Sequence, residues 1–120
     1  LSGGVGNLGK GACGAFNGAA AAISLKFGID RRQAEASPEA MTEAKDRIHG
    51  LIERLAERFQ AEFGSIICRE IQFNLFGKAY NLRNPESYEE FREKHWPDDC
   101  AEKVIVKAVD WTLSLLLEDG

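Results

Sequence analysis

The pattern of apolar and polar residues between positions 38 and 64 predicts one long amphipathic helix. Apolar side chains recur there at steps of three and four, and charged side chains fill the positions between them. Ser37, Pro38 and Glu39 form a typical helix start, with a capping hydroxyl, a first-turn proline and a first-turn acid. Gly64 follows the last apolar position and predicts the helix end. The stripe expected to face a core consists of Met41, Ala44, Ile48, Leu51, Ile52, Leu55, Phe59 and Phe63.

An alanine-rich stretch nearer the N-terminus predicts another helix, over 15–27. Alanine is the strongest helix former, and Gly28 stands where the residue after a helix belongs. Because its side chains are small almost all round, we expect this helix to be central and closely approached by its neighbours.

The C-terminal half predicts three further helices. They cover residues 66–73, 84–95 and the stretch after the Trp-Pro pair at 96–97, with a connector over 77–83. We expect Ser65 and Asn84 to cap the first two helices, and Asp98 or Asp99 to cap the last. The Trp-Pro pair is expected to separate the second helix from the third.

The whole chain is expected to form one all-α domain. No run of alternating apolar and polar residues is bounded by turn residues, so no strand is predicted. No internal repeat or linker-like tract divides the chain. We therefore expect residues 1–120 to form a compact bundle of four or five helices behind a glycine-rich N-terminal loop.

The composition is that of a small, soluble globular protein, with 44% hydrophobic and 28% charged residues. A net charge of −4 argues against a nucleic-acid partner, which requires a basic surface. The longest apolar run, Gly18–Ile23, is mostly alanine and far too short to cross a membrane. Three widely spaced cysteines do not form the dense, even set of a small secreted domain, so we expect a reducing, cytoplasmic location.

The glycine-rich start of the chain matches one nucleotide-binding motif and comes close to a second. Gly4 to Gly9 satisfies GxGxxG, and with Lys10 the same loop approaches a phosphate loop. The first motif requires a preceding strand, which is not predicted, and the second requires a hydroxyl residue where Gly11 stands. We therefore expect a flexible entry loop that lets helices pack closely, and no nucleotide site.

Cys13, Cys68 and Cys100 are the strongest candidates for chemistry, although no CxxC pair is present. A lone cysteine is usually a small buried core residue. Cys13 and Cys100 are predicted near helix N-termini, where the helix dipole lowers a thiol pKa and favours the thiolate. From the residues alone, core packing and a reactive or metal-binding role both remain open.

The surroundings of these cysteines resemble the C-GCAxxG-C-C family of small redox-active proteins. Cys13-Gly14-Ala15, two free positions and Gly18 fit the family's second cysteine element. The run from Phe63 to Glu70 is similar to the third element, a cysteine-arginine-glutamate run after a long helix, and Cys100 is similar to the fourth cysteine. The family's first cysteine lies in a helix before the glycine loop, and we expect this chain to lack that helix.

The resemblance implies that the three cysteines converge and act as redox-active thiolates or as ligands of an iron–sulfur cluster or another metal ion. It also implies that residues beside the cysteines bind the cofactor, namely Gly11, Gly14 and Arg69. Because the chain has no CxxCH motif, covalent haem attachment is not implied. The resemblance implies a redox partner without identifying it.

Three functions are consistent with these features of the sequence. The leading one is a redox-active protein whose cysteine thiolates bind a metal or iron–sulfur cluster for electron transfer. The second is a metal-free thiol–disulfide redox protein or sensor. The third is a nonredox helical interaction module that forms a homodimer through the alanine-rich helix.

Histidines and aromatic residues have ordinary structural interpretations. His95 is better placed than His49 to complete a metal shell, but a histidine at the end of a helix more often stabilises the helix dipole. The aromatic residues at helical spacing are expected in the core rather than around a cofactor: Phe73, Phe76, Tyr80, Trp96 and Trp111.

Overall fold

The computed structural model of the chain describes residues 1–119, and this range is all-α as predicted. The helices are α1 (Gly14–Phe27), α2 (Arg31–Ala36), α3 (Pro38–Phe63), α4 (Cys68–Phe76), α5 (Pro85–Lys94) and α6 (Val106–Asp119). A π-helical stretch, Trp96–Ile105, runs directly into α6 and is called the π segment below. None of the described helices is long and apolar enough to cross a membrane.

Helix α3 begins and ends where the sequence predicts. The hydroxyl of Ser37 accepts a hydrogen bond from the N–H of Ala40 at 3.2 Å, and Gly64 ends the helix in the left-handed conformation, with φ of 78°. Its C-terminal half buries the predicted stripe, including Leu55, which is fully buried. The expectation for Met41 is wrong: its side chain is 52% exposed, because the N-terminal half of α3 extends beyond the main core.

Helix α2 is a short element that the sequence analysis missed. A reciprocal capping box holds its start: the Asp30 carboxylate accepts from the N–H of Gln33 at 2.8 Å, and the Gln33 side chain accepts from the N–H of Asp30 at 3.0 Å. The spacing of these two residues was a readable signal. With α2 included, the described chain has more helices than the expected four or five.

The main core lies where α1 packs between α3 and α6, which confirms α1 as the central helix. Phe59 of α3 is fully buried, and its ring meets Phe16 of α1 edge-on at 5.4 Å between centroids. Trp111 of α6 meets the same ring edge-on at 5.7 Å. These aromatic contacts join the three helices.

The bundle is elongated, with principal extents of 53 × 25 × 18 Å. Its radius of gyration is 16.3 Å, whereas about 14 Å is typical for a compact domain of this length. The 26 residues of α3 account for much of the difference, because a helix of that length spans about 39 Å.

The last helical stretch begins earlier than predicted, and the expected caps at Asp98 and Asp99 are wrong. His95 is the residue that precedes the π segment, and Pro97 occupies its first turn, where a missing N–H costs nothing. The Asp99 carboxylate bonds the side chains of His95, at 2.7 Å, and Lys103, at 2.8 Å, instead of capping backbone N–H groups. The chain therefore continues as helix from Trp96 through α6.

The glycine-rich loop is a hydrogen-bonded turn packed onto the helices. Residues 3–7 all have left-handed φ angles between 60° and 72°. The three glycines adopt this conformation at low cost, whereas it is strained for the β-branched Val5. The N–H groups of Gly9 and Gly11 donate to the carbonyls of Gly3 and Gly4, both at 2.9 Å. Close packing is thus confirmed, in a folded turn rather than the flexible loop that the composition predicts.

Gly4 and Gly6 offer a matched test of this packing. Both have left-handed φ angles, but a Cβ on Gly4 would lie 2.7 Å from the Cβ of Cys68, whereas a Cβ on Gly6 would meet nothing within 4 Å. Left-handed backbone costs an alanine about 1–2 kcal/mol at either position. Because of the added clash, we expect Gly4→Ala to lower the free energy of unfolding in urea by roughly 1–3 kcal/mol more than Gly6→Ala. Equal losses would contradict the packing of the loop on Cys68.

Candidate functional site

Two chain segments run antiparallel beside each other and bring Cys13 close to Cys68. The N–H of Cys13 donates to the carbonyl of Ile66 at 2.7 Å, and the N–H of Cys68 donates to the carbonyl of Gly11 at 3.0 Å. Cys13 directly precedes α1, and Cys68 is the first residue of α4. The pairing therefore holds the starts of two helices, and one cysteine at each, next to each other.

Cys100 reaches the same region from the π segment. Its N–H donates to the carbonyl of His95 at 3.1 Å, five residues back, as in a π-helix. Cys100 and Cys68 both pack against a second apolar cluster formed by Tyr80, Leu82 and Phe91. π-Helical turns are frequent at functional sites, and this one carries a cysteine.

All three cysteines line a single cavity of about 670 Å³. The cavity lies between the main core, which Cys13 contacts, and the second cluster, which Cys68 and Cys100 contact. The rest of its lining is mostly apolar and includes Ile71, Phe76, Leu82, Phe91, Trp96, Val104 and Ile105. The residues that the sequence singles out thus meet at one place.

The Cys100 thiol resists ionisation in this setting. Burial is the main cause that raises its pKa from the ordinary value of 9.0 to about 12. Repulsion by the charges of Cys13, Cys68 and Asp99 raises the pKa further, so the three thiols are close enough to influence one another. Cys100 is therefore a neutral thiol at pH 7.

The expectation that helix N-termini lower the thiol pKa values of Cys13 and Cys100 is wrong: burial raises both pKa values, and Cys100 lies inside the π segment. At Cys13 the backbone N–H groups of Ala15 and Phe16 favour the thiolate, but the loss of water around the sulfur outweighs them and the pKa is raised. At Cys68 burial likewise raises the pKa, against a lowering effect of the hydrogen bond from Gln72. Desolvation therefore dominates at both helix starts.

Gln72 is a residue of the site that the sequence reasoning missed. Its side chain is 2% exposed, and its Nε2 donates to the Sγ of Cys68 at 3.4 Å. Its Oε1 accepts from the backbone N–H of Tyr80 at 2.8 Å. The position four residues after Cys68, one turn along the same helix face, was the available signal. Gln72 therefore ties the thiol to the connector before α5.

Both histidines lie away from the cavity lining. The ring of His95 stacks on Phe76 with centroids 3.9 Å apart, and its Nδ1 lies 2.7 Å from an Asp99 oxygen. His49 is exposed on α3. The position of His95 at the end of α5 fits the structural role that the sequence favours.

The three positions assigned to a bound cofactor have different surroundings. Gly14 lines the cavity. The carbonyl of Gly11 pairs with Cys68, and a Cβ on Gly11 would lie 2.9 Å from the carbonyl oxygen of Gly4. Arg69 is exposed, and its N–H donates to the carbonyl of Gly9 at 3.1 Å. Their contact with a cofactor stays a prediction.

The aromatic residues divide between the core and the cavity, so the expectation that all lie in the core is wrong. Trp111 packs against the main core and Tyr80 is buried in the second cluster. Phe76 and Trp96 line the cavity, whereas Phe73 is 60% exposed. Helical periodicity could not make this distinction, because a cavity wall and a core are both apolar.

The cysteine side chains are chemically suited to bind a metal ion, but their positions in this structure do not form a metal site. Thiolates are preferred ligands of thiophilic ions and of iron–sulfur clusters, with zinc–sulfur distances near 2.3 Å. Within residues 1–119, however, no group of three or more Cys, His, Asp or Glu side chains is placed to hold a metal ion. A metal would therefore require the thiol side chains to turn toward one another.

An all-α protein with three thiols at one cavity falls in the class of small cysteine-bearing helical proteins. Within that class, the chain belongs to the family described as "Putative redox-active protein (C_GCAxxG_C_C)", whose model matches residues 1–115. The resemblance seen in the sequence is thereby confirmed. No curated protein and no solved structure matches the chain.

The raised pKa of Cys100 predicts slow alkylation of the folded, reduced, metal-free protein. With a pKa of about 12 in place of 9.0, its thiolate fraction at pH 8 is about 1,000-fold smaller. We expect its reaction rate with iodoacetamide, followed by mass spectrometry, to rise through pH 10 without levelling off. The protein unfolded in urea is the control, where Cys100 should react as an ordinary thiol. A rate that is half-maximal near pH 9 in the folded protein and levels off above pH 10 would contradict the assignment.

Proposed function

We propose that this redox-active family member works through Cys13, Cys68 and Cys100 as one sulfur site, which binds a thiophilic metal ion or an iron–sulfur cluster for electron transfer. The observation that carries the proposal is the meeting of all three cysteines at one cavity. Among the described residues, the lining contains no aspartate, glutamate or histidine. The side-chain oxygens of the lining belong to Ser2, Asn7, Gln72 and Tyr88 and carry no charge at pH 7. A donor set of three cysteines without carboxylates favours thiophilic metals over Mg²⁺ or Ca²⁺.

Residues around the cysteines would position the sulfur atoms of such a site and tune its reduction potential. The paired segments hold Cys13 and Cys68 in place, and Gln72 directs an N–H at the Cys68 sulfur. Hydrogen bonds to sulfur and exclusion of water are the means by which proteins tune the reduction potential of a bound cluster. A cluster, when bound, would supply one-electron transfer, and the cavity offers room for the thiols to turn toward it.

Metal and sulfide analysis of protein purified without oxygen tests this proposal. We expect bound iron with labile sulfide and visible absorption, or another thiophilic metal, at a fixed ratio to protein. Cys13→Ser, Cys68→Ser and Cys100→Ser should each remove most of the metal, because each removes one donor. Met41→Ser is a matched control, since Met41 is the single methionine and lies exposed on α3. Metal-free, colourless protein, or cysteine variants that keep their metal, would exclude the metal site.

A metal-free dithiol is the second candidate, favoured by the absence of a closed ligand set among residues 1–119. Two of the three thiols would be oxidised to one disulfide, releasing two protons and passing two electrons to an oxidant such as glutathione disulfide. The geometry requires the two Cα atoms to come within about 7 Å.

Oxidation of the metal-free protein tests this second candidate. With excess glutathione disulfide we expect an intramolecular disulfide, seen as the loss of two hydrogens by mass spectrometry and reversed by dithiothreitol. Peptide mapping identifies the pair, and serine in place of either partner should prevent it while serine in place of the third cysteine should not. A protein that yields mixed disulfides with glutathione and no internal bond would exclude the dithiol mechanism.

A further inference from the structure

We propose that the cysteine-lined cavity binds a flat, mostly apolar aromatic molecule that carries at most one negative charge. This ligand site goes beyond the redox function and does not depend on a metal at the cysteines.

The size of the cavity is the first observation. Its volume of about 670 Å³ lies within the range of organic ligand pockets, which is about 300–1,000 Å³. A metal ion held by thiolates at about 2.3 Å would fill a small part of that space. The remaining volume is suited to an organic molecule.

The lining favours a flat ring system. Phe76, Phe91 and Trp96 line the cavity, with ring centroids 6.3 Å apart and planes tilted by 43° for the first pair, and 6.5 Å apart and tilted by 60° for the second. His95 covers one face of Phe76, so the ring surfaces and edges that remain toward the cavity are those that can pack against another flat ring. Trp96 is 45% exposed, so part of this aromatic surface is open to an entering molecule.

The charge of the lining limits the ligand further. The chain is acidic overall, yet among the described residues of the lining Arg92 is the one that carries a charge. Its guanidinium pairs with Glu89 on the same helix, so an anionic ligand would share or replace that pair. Nucleotides and other polyanions would need more cationic or backbone donors, and a cation would lose its water with no carboxylate to replace it. No buried side-chain nitrogen or oxygen in the described chain is without a partner, so the cavity makes no demand for a strongly polar ligand. A neutral or singly negative aromatic molecule fits these conditions.

The two tryptophans provide a direct test with an internal control. Trp96 lines the cavity and Trp111 packs in the main core, and the chain has no other tryptophan. The ¹⁵N-labelled protein as purified, kept reduced, is titrated with 2-naphthoate while the two indole N–H signals are followed by NMR. We expect a saturable shift of the Trp96 signal, assigned with Trp96→Phe, and little change at Trp111. No shift at millimolar 2-naphthoate, or equal shifts of both signals, would overturn the proposal.

The charge preference is tested with 2-naphthylmethylammonium, which has the same ring and the opposite charge. We expect 2-naphthoate to bind about threefold to tenfold more tightly. Arg92→Gln should reduce this ratio toward one while binding of the ring persists. Arg31→Gln is the matched control, because Arg31 and Arg92 are both exposed and each pairs with a glutamate on its own helix. Equal binding of the two compounds by the unaltered protein would overturn the charge assignment.

Discussion

The backbone pairing between residues 9–13 and 66–69 is the constraint on which the cysteine site depends. Three hydrogen bonds connect these segments, and they set the starting points of α1 and α4 relative to each other. Such an approach requires a chain with little side-chain bulk, because a Cβ on Gly4 or Gly11 would lie within 3 Å of neighbouring atoms. The glycines therefore act by letting a main-chain segment lie directly against the helix that carries Cys68.

Burial decides the chemical state of the sulfur atoms. A helix start is commonly regarded as an activating position for cysteine, and Cys13 and Cys68 both occupy one. Here the apolar lining opposes the helix dipole and keeps the thiols protonated, since a thiolate would lose its water without gaining a cation. Thiols held in the protonated form react slowly with oxidants, because the thiolate is the reactive species.

Much of the helical framework could be predicted from local signals, and much of the site could not. The start of α3 at Ser37 and its end at Gly64 depend on capping interactions, and a few consecutive residues are enough to predict them. The capping box of α2 was equally readable and was missed. Apolar periodicity does not distinguish the π segment from an ordinary α-helix. The spacing of Gln72 from Cys68 was readable, but the bond from its side chain to the backbone of Tyr80 was not. The resemblance pointed to three cysteines that line one cavity, but their pKa values follow from burial, which a helix-position argument ignores.

The π segment also limits where residues can be inserted into this chain or deleted from it. An exposed loop can gain or lose a residue at small cost when no packed element downstream is turned by the change. If one residue between Cys100 and α6 were lost, Cys100 would rotate about the helix axis by about 100° relative to α6. Either the sulfur would leave the cavity or the buried face of α6, including Ala108 and Leu115, would leave the core. A single-residue insertion or deletion in this ten-residue stretch therefore disturbs either the cysteine site or the main core.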